Sequence, residues 1–62
     1  MTRYRCYLLD TFGRIRHVEA IDCDDDGQAR DRALALLGLH PELRSLELWD
    51  GARQIPADAP LP

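Results

Sequence analysis

Asp10-Thr11-Phe12-Gly13-Arg14 reads as a type I turn with Gly13 in the left-handed conformation, the three-residue hairpin loop that closes in a bulge. On its amino-terminal side, residues 3–10 (Arg-Tyr-Arg-Cys-Tyr-Leu-Leu-Asp) mix aromatic and branched side chains without helical periodicity, which predicts a strand. Residues 14–22 return as the second strand. The turn sets an expected register: Asp10 opposite Arg14, Leu8 opposite Arg16, Tyr7 opposite His17, Cys6 opposite Val18, Arg5 opposite Glu19 and Tyr4 opposite Ala20. Two opposite-charge pairs fall into place, each worth roughly 0.2–1 kcal/mol. A tight two-residue loop would slip the pairing and set Cys6 against Glu19 and Leu9 against Arg16.

Asp24-Asp25-Asp26 ends the ribbon and starts a helix. With Asp25 as N-cap, Gln28 stands at the third helical position and completes a capping box. The aspartates also face the positive end of the helix dipole, so capping explains them without a divalent metal. The helix is expected to run to about Leu37 and stop at Gly38, with Ala29, Ala33, Leu36 and Leu37 as its apolar face and Leu34 sharing in it. Residues 38–44 form a loop holding His40-Pro41. Ser45-Leu46-Glu47-Leu48-Trp49 alternates as a third strand, and Asp50-Gly51 is a hairpin signal that allows a short edge strand over residues 52–55. The order is β-β-α-β(-β). A right-handed crossover gives one antiparallel sheet in the order 2-1-3-4 with a single helix on one face, an α+β domain over residues 1–55. Residues 56–62, with three prolines, are expected to be a flexible tail.

A chain of 62 residues is one small domain with a thin stability margin. No run of eighteen apolar residues exists to span a membrane, and no signal-peptide pattern opens the chain, so a cytoplasmic protein is expected. Cys6 and Cys23 belong to no C-x-x-C pair and have no histidine at metal-ligand spacing, which reads as two free thiols.

The sequence offers no enzyme signature. Thr2, Thr11 and Ser45 are the only serines and threonines, and none sits in a nucleophile elbow. Cys6 and His17 are the nearest approach to a thiol–imidazole pair, and the expected register sends them to opposite faces. His40 reads as a solvated loop histidine, and Glu19 and Glu47 could share a face without defining a pocket. There is no glycine-rich phosphate loop, and no cofactor is implied.

The informative anomaly is a sheet that is apolar on both sides. One face carries Tyr4, Cys6, Leu8, Val18, Ala20, Leu46 and Leu48, enough to lie under the helix. The other carries Tyr7, Leu9, Ile15, Ile21 and Trp49 among Arg5, His17, Glu19 and Glu47. One helix cannot cover both, and an uncovered apolar face marks a contact surface. The expected role is therefore a non-catalytic protein–protein interaction or homodimerising domain using Tyr7, Leu9, Ile15, His17 and Trp49.

The alternative is nucleic-acid binding through the ribbon of residues 3–17, where Arg3, Arg5, Arg14 and Arg16 alternate with Tyr4, Tyr7 and Phe12. In residues 1–17 those four arginines face Asp10 alone, whereas the remaining four meet ten acids. A net charge of −3, a pI near 5.1 and the absence of lysine weigh against this alternative.

Tyr4-x-Cys6-Tyr7-Leu8-Leu9-Asp10, Gly13-Arg14-Ile15, Cys23-Asp24-Asp25-Asp26 and Glu47-Leu48-Trp49-Asp50-Gly51 resemble a group of short, uncharacterised bacterial proteins over about residues 3–53. The resemblance implies the same β-β-α-β arrangement and a bacterial cytoplasmic source. It carries no activity, cofactor or catalytic residue.

Overall fold

The computed structural model describes residues 1–56. Its elements follow the expected order: β1 (Thr2–Leu9), β2 (Ile15–Cys23), α1 (Asp26–Gly38), β3 (Ser45–Asp50) and β4 (Arg53–Ile55). All neighbouring strands are antiparallel, and the sheet order is β2-β1-β3-β4 with α1 packed against it. The expected tail falls mostly on residues 57–62, outside the described residues.

The β1–β2 turn forms as its sequence dictates. The Gly13 amide donates to the Asp10 carbonyl at 3.0 Å, the Asp10 amide donates to the Arg14 carbonyl at 3.0 Å, and Gly13 takes φ 78°. The Asp10 carboxylate accepts from the amides of Phe12 (2.8 Å) and Arg14 (3.0 Å), tying the loop from inside.

Beyond the turn the expected register fails. Leu9 pairs with Ile15, but Leu8 pairs with His17, so Arg16 is an extra residue in β2. From there Tyr7 meets Val18, Cys6 meets Glu19, Arg5 meets Ala20 and Tyr4 meets Ile21, one residue off expectation. The Arg5–Glu19 pair does not form, and Arg3–Asp22 forms instead at 3.1 Å. Because side chains alternate faces, a shift of one residue turns β2 over. Val18 and Ala20 move to the uncovered face, while Ile21, Cys23, Glu19 and His17 come to the helix side. The gain is core volume: Ile21 is 7% exposed and Cys23 2%, whereas Val18 stands 52% exposed. Isoleucine and cysteine side chains bury more than valine and alanine would.

The core lies between sheet and helix. Tyr4, Cys6, Leu8, Ile21, Cys23, Leu48 and Ile55 face Ala29, Ala33 and Leu43, with Leu36, Leu37 and Leu46 packed at the margin. Both cysteines are buried free thiols. Ala29 and Ala33 let α1 approach the sheet closely. Asp25 caps the helix by accepting from the Gln28 amide at 2.8 Å. The Gln28 side chain reaches one residue further than a standard box and accepts from the Asp24 amide at 3.1 Å.

The β3–β4 loop is also offset by one residue from expectation. Asp50 pairs with Arg53, so Gly51 and Ala52 form the two-residue loop, with Gly51 at φ 60° in its first position.

Candidate functional site

Beyond the Arg3–Asp22 pair at one end, the face opposite α1 presents three rows across the strands. Ala20, Arg5, Trp49 and Gln54 make one, Val18, Tyr7 and Glu47 the next, and Ile15, Leu9 and Ser45 the third. Arg3, Arg5, Tyr7, Ile15, Glu47, Trp49 and Gly51 line a shallow depression of about 730 Å³ on this side. Ile15 (54% exposed) and Val18 are open, Tyr7 and Trp49 are half-buried, and Leu9 is buried outside the helix-side core. The Trp49 indole Nε1 donates to Glu47 Oε1 at 3.1 Å, which fixes the ring against the sheet. Four of the five expected contact residues thus share a face: Tyr7, Leu9, Ile15 and Trp49.

His17 does not join them. It sits opposite Leu8 on the helix side, where its Nε2 lies 3.3 Å from Glu19 Oε1 and its ring centroid 5.1 Å from that of His40. His40 is accordingly half-buried and not a free loop side chain, with Nδ1 3.7 Å from Glu42. Glu19 and Glu47 lie on opposite faces. Val18 and Ala20 are the open-face residues that the sequence reading missed. Only the burial preference of Ile21 and Cys23 over Val18 and Ala20 could have found them.

The arginine ribbon divides into two groups. Arg3 and Arg5 border the open-face depression. Arg14 and Arg16 lie at the turn end, beside His17 and His40, around a second hollow. Arg3 is bonded to Asp22, Arg14 and Arg16 each approach Asp10 at 3.8 Å, and Arg14 lies over the Phe12 ring at 5.4 Å. Arg5 alone among the four has no carboxylate partner among the described residues.

The chemistry-bearing groups of the helix side are occupied. Cys6 and His17 share that face, contrary to the expected register, but Cys6 is fully buried. Burial, with the Glu19 charge opposite, pushes its thiol up to about 11, so it carries no thiolate at neutral pH. The Tyr4 hydroxyl donates to Asp26 Oδ1 at 2.7 Å, and Arg53 bridges Asp26 and Asp50 at 3.0 Å each. Hydrogen bonds from Arg53 and then Tyr4 hold the Asp26 carboxyl below its ordinary range, and the bond to Asp26 pushes Tyr4 up to about 12. This cluster ties β1, α1 and the β3–β4 hairpin together. Among the described residues no group of three or more His, Cys, Asp or Glu is placed to hold a metal ion, and no helix is long and apolar enough to cross a membrane.

Comparison with protein-family models, with curated proteins and with solved structures finds no match.

Proposed function

We propose that this chain is a small non-catalytic interaction module whose contact surface is the sheet face opposite α1. The observation that carries the reading is the grouping of Tyr7, Ile15, Val18 and Trp49 on the side that α1 leaves uncovered among the described residues. Tyrosine and tryptophan are enriched at the energetic centres of interfaces, and arginine, here Arg5, is the third such type. A sheet face that only met water would carry mainly polar residues.

The nucleic-acid alternative draws less support. Its arginines lie in two separate groups, and Arg3, Arg14 and Arg16 are each within ion-pair reach of an aspartate.

The test is Trp49→Ala, followed by light scattering across a dilution series at two salt concentrations, with circular dichroism as the check on folding. The variant should keep its secondary structure and associate more weakly. Undiminished association in a folded Trp49→Ala protein refutes the reading.

A further inference from the structure

Resting on that reading, we infer that the occupant of the open face is a second copy of this chain, held by reciprocal Arg5–Glu47 pairs across a two-fold axis. Four residues make the centre of the face. Arg5 and Tyr7 are neighbours on β1, Trp49 and Glu47 are neighbours on β3, Arg5 pairs with Trp49 and Tyr7 with Glu47. They form a rectangle about 4.8 Å by about 6.7 Å, set by strand spacing and a two-residue rise.

Its two charged corners lie on one diagonal and are of opposite sign. Arg5 is exposed and has no carboxylate partner among the described residues. Glu47 is half-buried, its carboxylate accepts from the Trp49 indole, and no cation pairs with it among the described residues. Each charge therefore lacks a counter-charge among the described residues of its own copy. A patch carrying one unpaired charge of each sign is complementary to itself, which an isologous two-fold contact requires.

The same rectangle fixes the axis. For Arg5 to face Glu47 of the second copy, the two-fold axis must bisect the Arg5–Glu47 diagonal, and it then runs close to the Tyr7–Trp49 diagonal. Tyr7 and Trp49 would meet their own symmetry mates, placing the two largest open-face side chains at the centre and the charge pairs on either side. The axis, perpendicular to the Arg5–Glu47 diagonal, lies about 54° from the strands, so strands of the two copies cross at about 70°, nearer the orthogonal than the aligned mode of sheet packing. Overlap is then confined to the middle of each sheet. A contact that small dissociates on dilution.

The experiment is a charge swap. Arg5→Glu and Glu47→Arg chains are prepared separately, checked by circular dichroism, and their dissociation constants measured by sedimentation equilibrium alone and as an equimolar mixture. Each variant alone should bind itself at least about tenfold more weakly than the wild type, because like charges face each other. The mixture should regain the wild-type constant. In a mixed dimer the Arg5→Glu chain is acidic at both positions and the Glu47→Arg chain basic at both, so each cross-axis pair is again of opposite sign. Should Glu47→Arg disturb the sheet, Glu47→Gln keeps an acceptor for Trp49 and should still weaken self-association.

A mixture no tighter than its components overturns the inference. So does a wild-type chain that stays monomeric at every concentration. Association that Trp49→Ala abolishes but the charge swap does not rescue leaves the open face as the contact and removes only the reciprocal pairing. Association indifferent to Trp49→Ala removes both.

Discussion

Replacing Ile21 and Val18 by alanine, one at a time, measures which face of β2 carries the core. Ile21 is 7% exposed, sits opposite Tyr4 and belongs to the buried core, so Ile21→Ala removes three carbons from the interior. Large-to-small core changes of this kind cost about 2–5 kcal/mol. Val18 is 52% exposed on the open face, and losing two half-solvated methyls costs no more than about 1 kcal/mol at about 0.8 kcal/mol per buried carbon. A domain of 62 residues has a total stability on the order of 3–9 kcal/mol, so the first change takes a large share of it and the second a small one.

The assay is urea unfolding followed by circular dichroism, at a concentration low enough that a tenfold change does not move the midpoint. With a slope of about 1 kcal/mol per molar urea, Ile21→Ala should lower the midpoint by about 2 M or more, and Val18→Ala by less than about 1 M. A simple hairpin without the Arg16 bulge would reverse this order, because Val18 would lie under the helix and Ile21 in solvent. Equal or inverted midpoint shifts therefore refute the bulged register, and with it the composition of the open face.

Gly13→Ala should cost about 1 kcal/mol: no heavy atom crowds the added Cβ, so the loss is the left-handed backbone at φ 78° less what the stiffer unfolded chain returns. A neutral result in the same urea assay would mean the turn relaxes out of that conformation. At alkaline pH, Tyr4 should titrate late, at about 12, when followed by tyrosinate absorbance, and Asp26→Asn should bring it down. A raised folded pKa means that the contribution of Tyr4 to stability is complete below its ordinary value near 10. It is lost as pH rises through about 12. Asp26 runs the other way: its carboxyl is held low, so its contribution is present above the ordinary carboxylate range and disappears as pH falls through the lowered value. Unfolding midpoints measured from neutral to acid pH should lose less in Asp26→Asn than in the wild type. Equal loss in the two proteins would remove Asp26 from the account. Cys6 should react with a thiol reagent at neutral pH only through unfolding, so its rate should rise with urea. Fast reaction in the native protein would contradict its burial.

The elements, their order and the sheet topology were legible because each rests on a short-range signal. Gly13 and Gly51 mark turns, Asp25 and Gln28 mark a helix start, and Ser45–Trp49 alternates. The register of β2 was not legible, because local pairing energies do not decide it. The expected pairing offered Arg5–Glu19, a surface ion pair of a few tenths of a kcal/mol, whereas Asp10–Arg14 precedes the extra residue and is kept in either register. The observed pairing buries Ile21 and Cys23 under α1, a packing term several times larger, and the extra residue at Arg16 makes room for it. The helix that supplies this term follows the ribbon in the chain, so no window confined to residues 3–22 contains the deciding contact.

The same distinction explains which contact residues the sequence located. Tyr7 and Leu9 lie on β1, ahead of the bulge, and Trp49 lies on β3, which pairs with β1 in unbroken alternation. Ile15 precedes Arg16 and keeps its expected side, opposite Leu9. His17 follows Arg16 and changes sides, leaving Val18 and Ala20 in its place. The bulge thereby moves His17, Glu19 and Ile21 off the open face and brings Val18, Ala20 and Asp22 onto it, so that Tyr7 and Arg5 gain apolar neighbours in place of titratable ones. The face that results is more uniformly apolar around one Arg5–Glu47 diagonal than the sequence pattern suggested. That is the composition a self-complementary contact needs: an apolar centre, with one charge of each sign to set the orientation.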